Sequence, residues 1–194
     1  MDKTPPRMDP RVLRTRQLLR NALIELLQEM EIEKISVNRL SERATINRVT
    51  FYLHYRDIPD MLEKMADDMI IEITGVLQKT PTSSNSSEEE LPALISLLEH
   101  IAEHASFYKV VLASKRIPIF TDRLLKLLSE LISAKIEEIM EGGSRSTDGI
   151  QKDIAIWYGS SALIGTIVSW LRNDMPYTPL FLAKQFTLLR TTMR

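Results

Sequence analysis

The stretch Ala44-Thr45-Ile46-Asn47-Arg48-Val49-Thr50-Phe51-Tyr52-Leu53-His54-Tyr55 constrains this chain more than any other. It reads as a turn followed by a short helix, the second half of a helix-turn-helix. Asn47 can cap that helix, its side-chain oxygen taking a free backbone N–H of the first turn. Phe51 and Tyr55 lie four residues apart and share one face, which suits a small core. Arg48, Tyr52 and the pair Thr50 and His54 fall on other faces. Their long or hydroxylated side chains are the types that meet phosphates and base edges. A helix this short and polar is not stable alone, so the chain around it must supply a scaffold.

The preceding residues read as that scaffold. From Pro10 to Met30, Leu18 and Leu19, Ala22 and Leu23, Leu26 and Leu27, then Met30 recur at steps of three and four, the period of a helix. Pro10 fits the first turn, where its missing N–H costs nothing. Ser36 can cap a second helix with Val37, Leu40 and Ala44 as its inward stripe. Thr45, Ile46 and Asn47 form the turn, and the third helix is expected to end near Tyr55 or Arg56. Asp57 is a cap for a fourth helix running to about Gln78, with Pro59 tolerated in its first turn. Residues 1–9 read as a flexible arm and residues 80–90 as a polar linker.

Further helices are expected over Leu91–Ala105, Phe107–Leu112, Pro118–Met140, Ile150–Arg172 and Leu180–Met193. Gly142-Gly143-Ser144 marks one stop and Asp148 one start. The pattern is all-α, with about nine helices. With no cysteine there is no disulfide framework and no thiolate metal site. The first residues lack the apolar run of a signal peptide, so a cytoplasmic protein is expected. Charge is divided unevenly: residues 1–60 hold eleven Lys and Arg against nine Asp and Glu, and the remainder fourteen against seventeen. Arg7, Arg11, Arg14, Arg16 and Arg20 crowd one short stretch. A basic start beside a mildly acidic body suits nucleic acid at one end only.

At this point the residues resemble a known family. Thr15-Arg16 followed by Leu18, Ala22 and Leu26, then Ile35-Ser36-Val37, Leu40, Ala44, Ile46-Asn47-Arg48, Thr50-Phe51-Tyr52, Tyr55 and Leu62 resemble the DNA-binding domain of the TetR (tetracycline-repressor) family of bacterial transcription regulators. The match covers about residues 10–65 without a gap. One position departs: Ile58 stands where many members have a lysine able to meet a phosphate. The segment Phe107–Leu112 and the ending Trp170–Pro176 look like one C-terminal type of that family. The resemblance implies a dimer built through the last two helices as a four-helix bundle. It also implies repression rather than activation. An activator, or a regulator that answers to a partner protein without a small molecule, is the alternative.

Three other constellations have blander explanations. His100, Glu103 and His104 match the H-x-x-E-H pattern of some zinc peptidases. The remaining histidine, His54, lies in the short helix, so no metal, cofactor or catalytic site is expected. Ile154 to Leu171 carries no charge for eighteen residues, the lower edge for a membrane span. Its hydroxyls and its bounding Asp153 and Arg172 make it too polar for one, so no membrane partner is expected. Ser161, Gly165 and Ser169, spaced by four, form a small-residue stripe, and a helix apolar all round is buried on all sides. A second copy of the chain is the expected cover, with Phe186 of the last helix beside the stripe. Phe107, Tyr108, Trp157 and Tyr158 are candidates for lining an effector cavity, although aromatics at helical spacing are more often plain core.

The expected division is a DNA-binding domain over 1–56 and a helical regulatory and dimerisation domain over 57–194, with helix four, 57–78, as connector. Arg48 is expected to read a base. Thr50, Tyr52 and His54 are placed for phosphates, with Arg14, Ser36, Arg39 and the cap Asn47 in support. The partners expected are a near-palindromic double-stranded operator, a second copy of the chain and a small-molecule effector.

Overall fold

The structure, a computed structural model, describes residues 9–80, 90–113, 117–141 and 150–192. The described residues form nine α-helices and one short 3-10 turn, with no strand among them. The expected arm, most of the polar linker, the Gly142–Ser144 stop and the Asp148 start lie outside the described residues. By its contacts the chain separates into two compact units, Met1–Met65 and Ala66–Arg194, and the division falls inside the fourth helix.

The first unit begins with α1, Pro10–Glu29. Asp9 caps it, Oδ1 accepting the Arg11 N–H at 2.8 Å, and Pro10 occupies the first position. A 3-10 turn over Ile32–Lys34 leads to α2, Val37–Arg43, where Ser36 Oγ accepts the Arg39 N–H at 3.3 Å. α3 spans only Arg48–Tyr52, and α4 runs Ile58–Lys79. The third helix therefore ends three residues before the expected limit at Tyr55. α2 packs on both α1 and α3. Leu19, Leu23, Leu40, Phe51 and Met61 are fully buried, and Tyr55 and Leu62 nearly so.

The turn between α2 and α3 closes without glycine. The Thr45 N–H donates to the Glu42 carbonyl and the Ile46 N–H to the Ser41 carbonyl, the paired bonds of a Schellman helix end. Thr45 takes the left-handed conformation, φ 56°, where a β-branched residue is an outlier. The same bond pattern ends α8, with Asp174 at φ 55°.

The second unit holds the rest of α4 and then α5, Glu90–Glu103; α6, Ala105–Val111; α7, Pro118–Glu141; α8, Lys152–Arg172; and α9, Pro179–Thr192. α7 packs on α8, α5 on α9, and α6 against both α8 and α5. Gly159 lets α7 come close, because a Cβ there would lie 3.2 Å from Ile132 Cδ1. Met69, Ile73, Leu98, Ile101, Tyr108, Phe120 and Leu124 are buried in this unit, as are Ile167, Leu171 and Ala183. α8 is long and apolar enough to cross a membrane, yet only a third of its most apolar stretch is buried here. Among the described residues, an apolar face of it is thus left uncovered.

Candidate nucleic-acid interface

α3 is oriented from its start, its inner face and its exit. At its start, Asn47 has extended backbone and its Oδ1 accepts the Val49 N–H at 2.8 Å. On its inner face Phe51 is fully buried, with the Tyr52 ring edge-on at 5.4 Å between centroids and Tyr55 at 5.6 Å. Beyond its exit Asp57 caps α4, Oδ1 accepting the Asp60 N–H at 2.8 Å.

The outward face carries Arg48 and Tyr52, both exposed and one turn apart, with the guanidinium carbon 5.9 Å from the ring centroid. Arg48 Nη1 also donates to Asn38 Oδ1 of α2 at 3.2 Å. This geometry holds a planar, permanently charged donor at the mouth of the motif, the group best suited to a guanine edge. Two residues that sequence reasoning passed over share this surface. Val49 and Leu53, four apart, are 67% and 76% exposed. Their signal was present in the sequence, as apolar residues off the face defined by Phe51 and Tyr55. In a major groove such side chains meet thymine methyl groups.

The supporting residues expected from the sequence fall into different settings. Arg14 is exposed on α1 and Thr50 is half-buried on α3. Ser36 and Asn47 spend their side-chain oxygens as helix caps. Arg39 lies back over the link between α1 and α2, Nη1 donating to the Lys34 carbonyl at 3.1 Å and meeting Met30 Sδ at 3.6 Å. His54 corrects the expectation most. It lies past the end of α3, half-buried rather than free on an outer face. Burial first, then the charges of Arg16 and Lys64, push its pKa below the usual histidine value. It is therefore neutral at neutral pH and brings no cation to a phosphate.

In the second unit the four aromatics do not line one cavity. Phe107 and Tyr108 are core: Phe107 stands edge-on to Phe120 at 5.9 Å, and Tyr108 is fully buried. Trp157 and Tyr158 are 62% and 63% exposed on α8. Sequence pattern does not show that Trp157 and Tyr158 face outward, because a helix apolar all round, as α8 is, has no preferred face. Ser161, Gly165 and Ser169 are exposed with them, and a Cβ on Gly165 would meet nothing within 4 Å. Phe186 is half-buried on α9, whose Leu188 and Leu189 are exposed. The His100 and Tyr108 side chains share a hydrogen bond of 2.9 Å between Nε2 and the hydroxyl. His104 Nδ1 lies 3.0 Å from the His100 carbonyl, and Glu103 is exposed. Among the described residues no three metal-ligating side chains converge.

Comparison with known proteins adds to this geometry. A TetR C-terminal family model, described as a transcriptional regulator C-terminal region, matches residues 88–191. An uncharacterized HTH-type transcriptional regulator of Bacillus subtilis (strain 168), YxbF, is 22% identical over 180 residues, 92% of this chain. The chain spans 45% of the length of that relative. Among solved structures, NalD of Pseudomonas aeruginosa, the secondary repressor of the MexAB-OprM multidrug efflux pump, superposes with a TM-score of 0.71 at 15% identity. That likeness covers 91% of this chain and 93% of NalD. FadR of Bacillus subtilis, a transcriptional regulator solved with stearoyl-CoA, gives 0.67 at 15% identity over 89% of this chain and 96% of its own. At these identities the solved structures establish a shared fold.

Proposed function

The chain belongs to the TetR family of transcriptional regulators, and from that membership we propose that it is a sequence-specific DNA-binding regulator that works as a homodimer in the cytoplasm. The observation that carries the reading is α3 itself: a capped, five-residue helix whose inner face is filled by Phe51 and whose outer face is left to Arg48, Val49 and Tyr52, with Leu53 exposed directly after it. A protein gains nothing in stability by exposing two large apolar side chains beside an arginine, whereas a major groove can use all of them.

Arg48 reads a base, Val49 and Leu53 contact base methyls, and Tyr52, Thr50 and Arg14 meet phosphates. Ser36 and Asn47 contribute as caps that hold their helices, and their free helix N-termini suit phosphate oxygens. Two copies set their readers about one DNA turn apart, roughly 34–36 Å, on a near-palindromic operator. The effector is a small molecule taken by residues 66–194, and its binding releases DNA, which makes the protein a repressor. Support for that sign and that class of partner comes from the likeness to a repressor and to a regulator solved with an acyl-CoA. α4 is common to both units and is the element through which such a signal passes. That counts as allostery only where the effector favours one of two states.

Arg48→Ala tests the assignment. It should weaken binding to the selected operator by about 1–3 kcal/mol and relax sequence preference at one position in each half-site, measured by fluorescence anisotropy on single-base variants. An equal loss on all duplexes would make Arg48 a phosphate contact instead.

A further inference from the structure

Asp60 is a carboxylate whose side chain is only 9% exposed, sitting in the first turn of α4 beside the segment that leaves α3. A buried carboxylate is costly unless its oxygens are satisfied. Here they are satisfied entirely by the exit of α3 and by the next turn of α4. Oδ2 accepts the Arg56 backbone N–H at 3.0 Å and Lys64 Nζ at 3.0 Å. Oδ1 accepts Arg56 Nε at 3.3 Å. Lys64 Nζ in turn donates to the His54 carbonyl at 3.0 Å and lies 5.4 Å from the centroid of the Tyr55 ring. These bonds tie residues 54, 55 and 56 to α4, and those three residues follow the reader helix after a single intervening residue.

We propose that Asp60 and Lys64 are positioning residues for DNA recognition: together they clamp the exit of α3 to α4 and so fix the angle at which Arg48, Val49, Tyr52 and Leu53 meet the groove. The reader needs such a device. Five residues make little more than one turn, and a helix of that length keeps no orientation of its own. Asn47 secures the start and Phe51 the inner face, but neither resists rotation of the far end. The clamp does, because its bonds reach backbone atoms, the His54 carbonyl and the Arg56 N–H, rather than mobile side-chain ends. The carboxyl of Asp60 is held below its usual range, first by the Arg56 N–H and then by Lys64, so the clamp stays charged at neutral pH. Arg56 itself is 81% exposed, and its guanidinium adds little beyond what its backbone supplies.

This inference rests on the DNA-binding reading, and the sign of one substitution separates it from simple electrostatics. Asp60→Asn removes a negative charge from the DNA-binding unit. Electrostatics alone then strengthens binding to every duplex. A clamp loosened at the same site instead weakens the selected operator by about tenfold, the loss expected when a reader slips from one base pair, while random-sequence DNA is bound as well as before or better. Lys64→Met, which keeps the aliphatic stem, should show the same loss on the operator with an unchanged salt slope, because a phosphate contact would reduce that slope by about one. Both variants are compared with wild type as full-length protein, with helical content and melting recorded alongside. A selected operator bound equally or more tightly by folded Asp60→Asn and Lys64→Met overturns the clamp. A wild-type protein that binds no duplex overturns the DNA reading itself, and the clamp with it.

Discussion

Phe51→Ala should unfold the DNA-binding unit at conditions where the wild type is intact. The ring is fully buried, and removing a buried phenyl group costs about 3–5 kcal/mol. That is a large share of the roughly 5–15 kcal/mol by which a domain is stable. The site is poorly able to relax: the tilted Tyr55 ring at 5.6 Å and the edge-on Tyr52 ring at 5.4 Å are both arranged around Phe51. With α3 only five residues long, its loss of anchorage removes the reader outright. Denaturant unfolding followed by circular dichroism should therefore show an early transition for Met1–Met65, and operator binding should disappear. Tyr52→Ala is the contrast. Tyr52 is exposed, so stability should change by about 0.5 kcal/mol or less while DNA binding weakens. A Phe51→Ala protein that melts like wild type would contradict the placement of α3 on this core.

If the proposed dimer forms through the α8 stripe, Gly165→Leu should convert it to monomers without harming the protomer. A Cβ at Gly165 meets nothing within 4 Å in its own chain, and leucine is the better helix former by about 0.5–1 kcal/mol. Within one chain the substitution is therefore neutral or favourable. Across a two-fold interface the new side chain enters twice, and overpacking at about 1–3 kcal/mol each gives roughly 2–6 kcal/mol against association. The neighbouring surface suits such an interface, since Ile154, Trp157, Tyr158 and Ser161 on α8 and Phe181, Leu188 and Leu189 on α9 are exposed. Light scattering should report a monomer whose melting no longer depends on protein concentration. A dimer of unchanged stability would move the interface off this stripe.

The helices were legible where the chain carries capping chemistry. Ser36, Asn47 and Asp57 each cap the helix expected of them, and the periodic residues Leu19, Leu23, Leu40 and Phe51 are all buried. Helix ends were harder. The first proline after Tyr52 is Pro59 and no glycine comes before it, so nothing in the sequence marks the end of α3 at Tyr52, and the helical period carried onward places His54 on an exposed face. Thr45 and Asp174 follow helix ends that the sequence does place, but they take the left-handed conformation that glycine usually signals, so the Schellman bonds that close those ends carry no sequence mark. On α8 the uniform apolar character predicts burial on all sides and conceals which side faces inward; the structure buries a third of its most apolar stretch and leaves Trp157 and Tyr158 exposed, unlike Phe107 and Tyr108. The clamp at Asp60 was out of reach for a different reason. An Asp at the third position of a helix reads as ordinary favourable charge near the helix N-terminus, and only the fold shows which backbone atoms it holds.

Selection of bound duplexes from a random pool by the full-length protein tests the central claim most directly. The account predicts enrichment of near-palindromic sites whose half-sites lie about 10–10.5 base pairs apart, centre to centre, or a multiple of that, with a fixed base pair in each half that Arg48→Ala relaxes. A pool that emerges unenriched, or enriched in single asymmetric sites indifferent to Arg48, would contradict it.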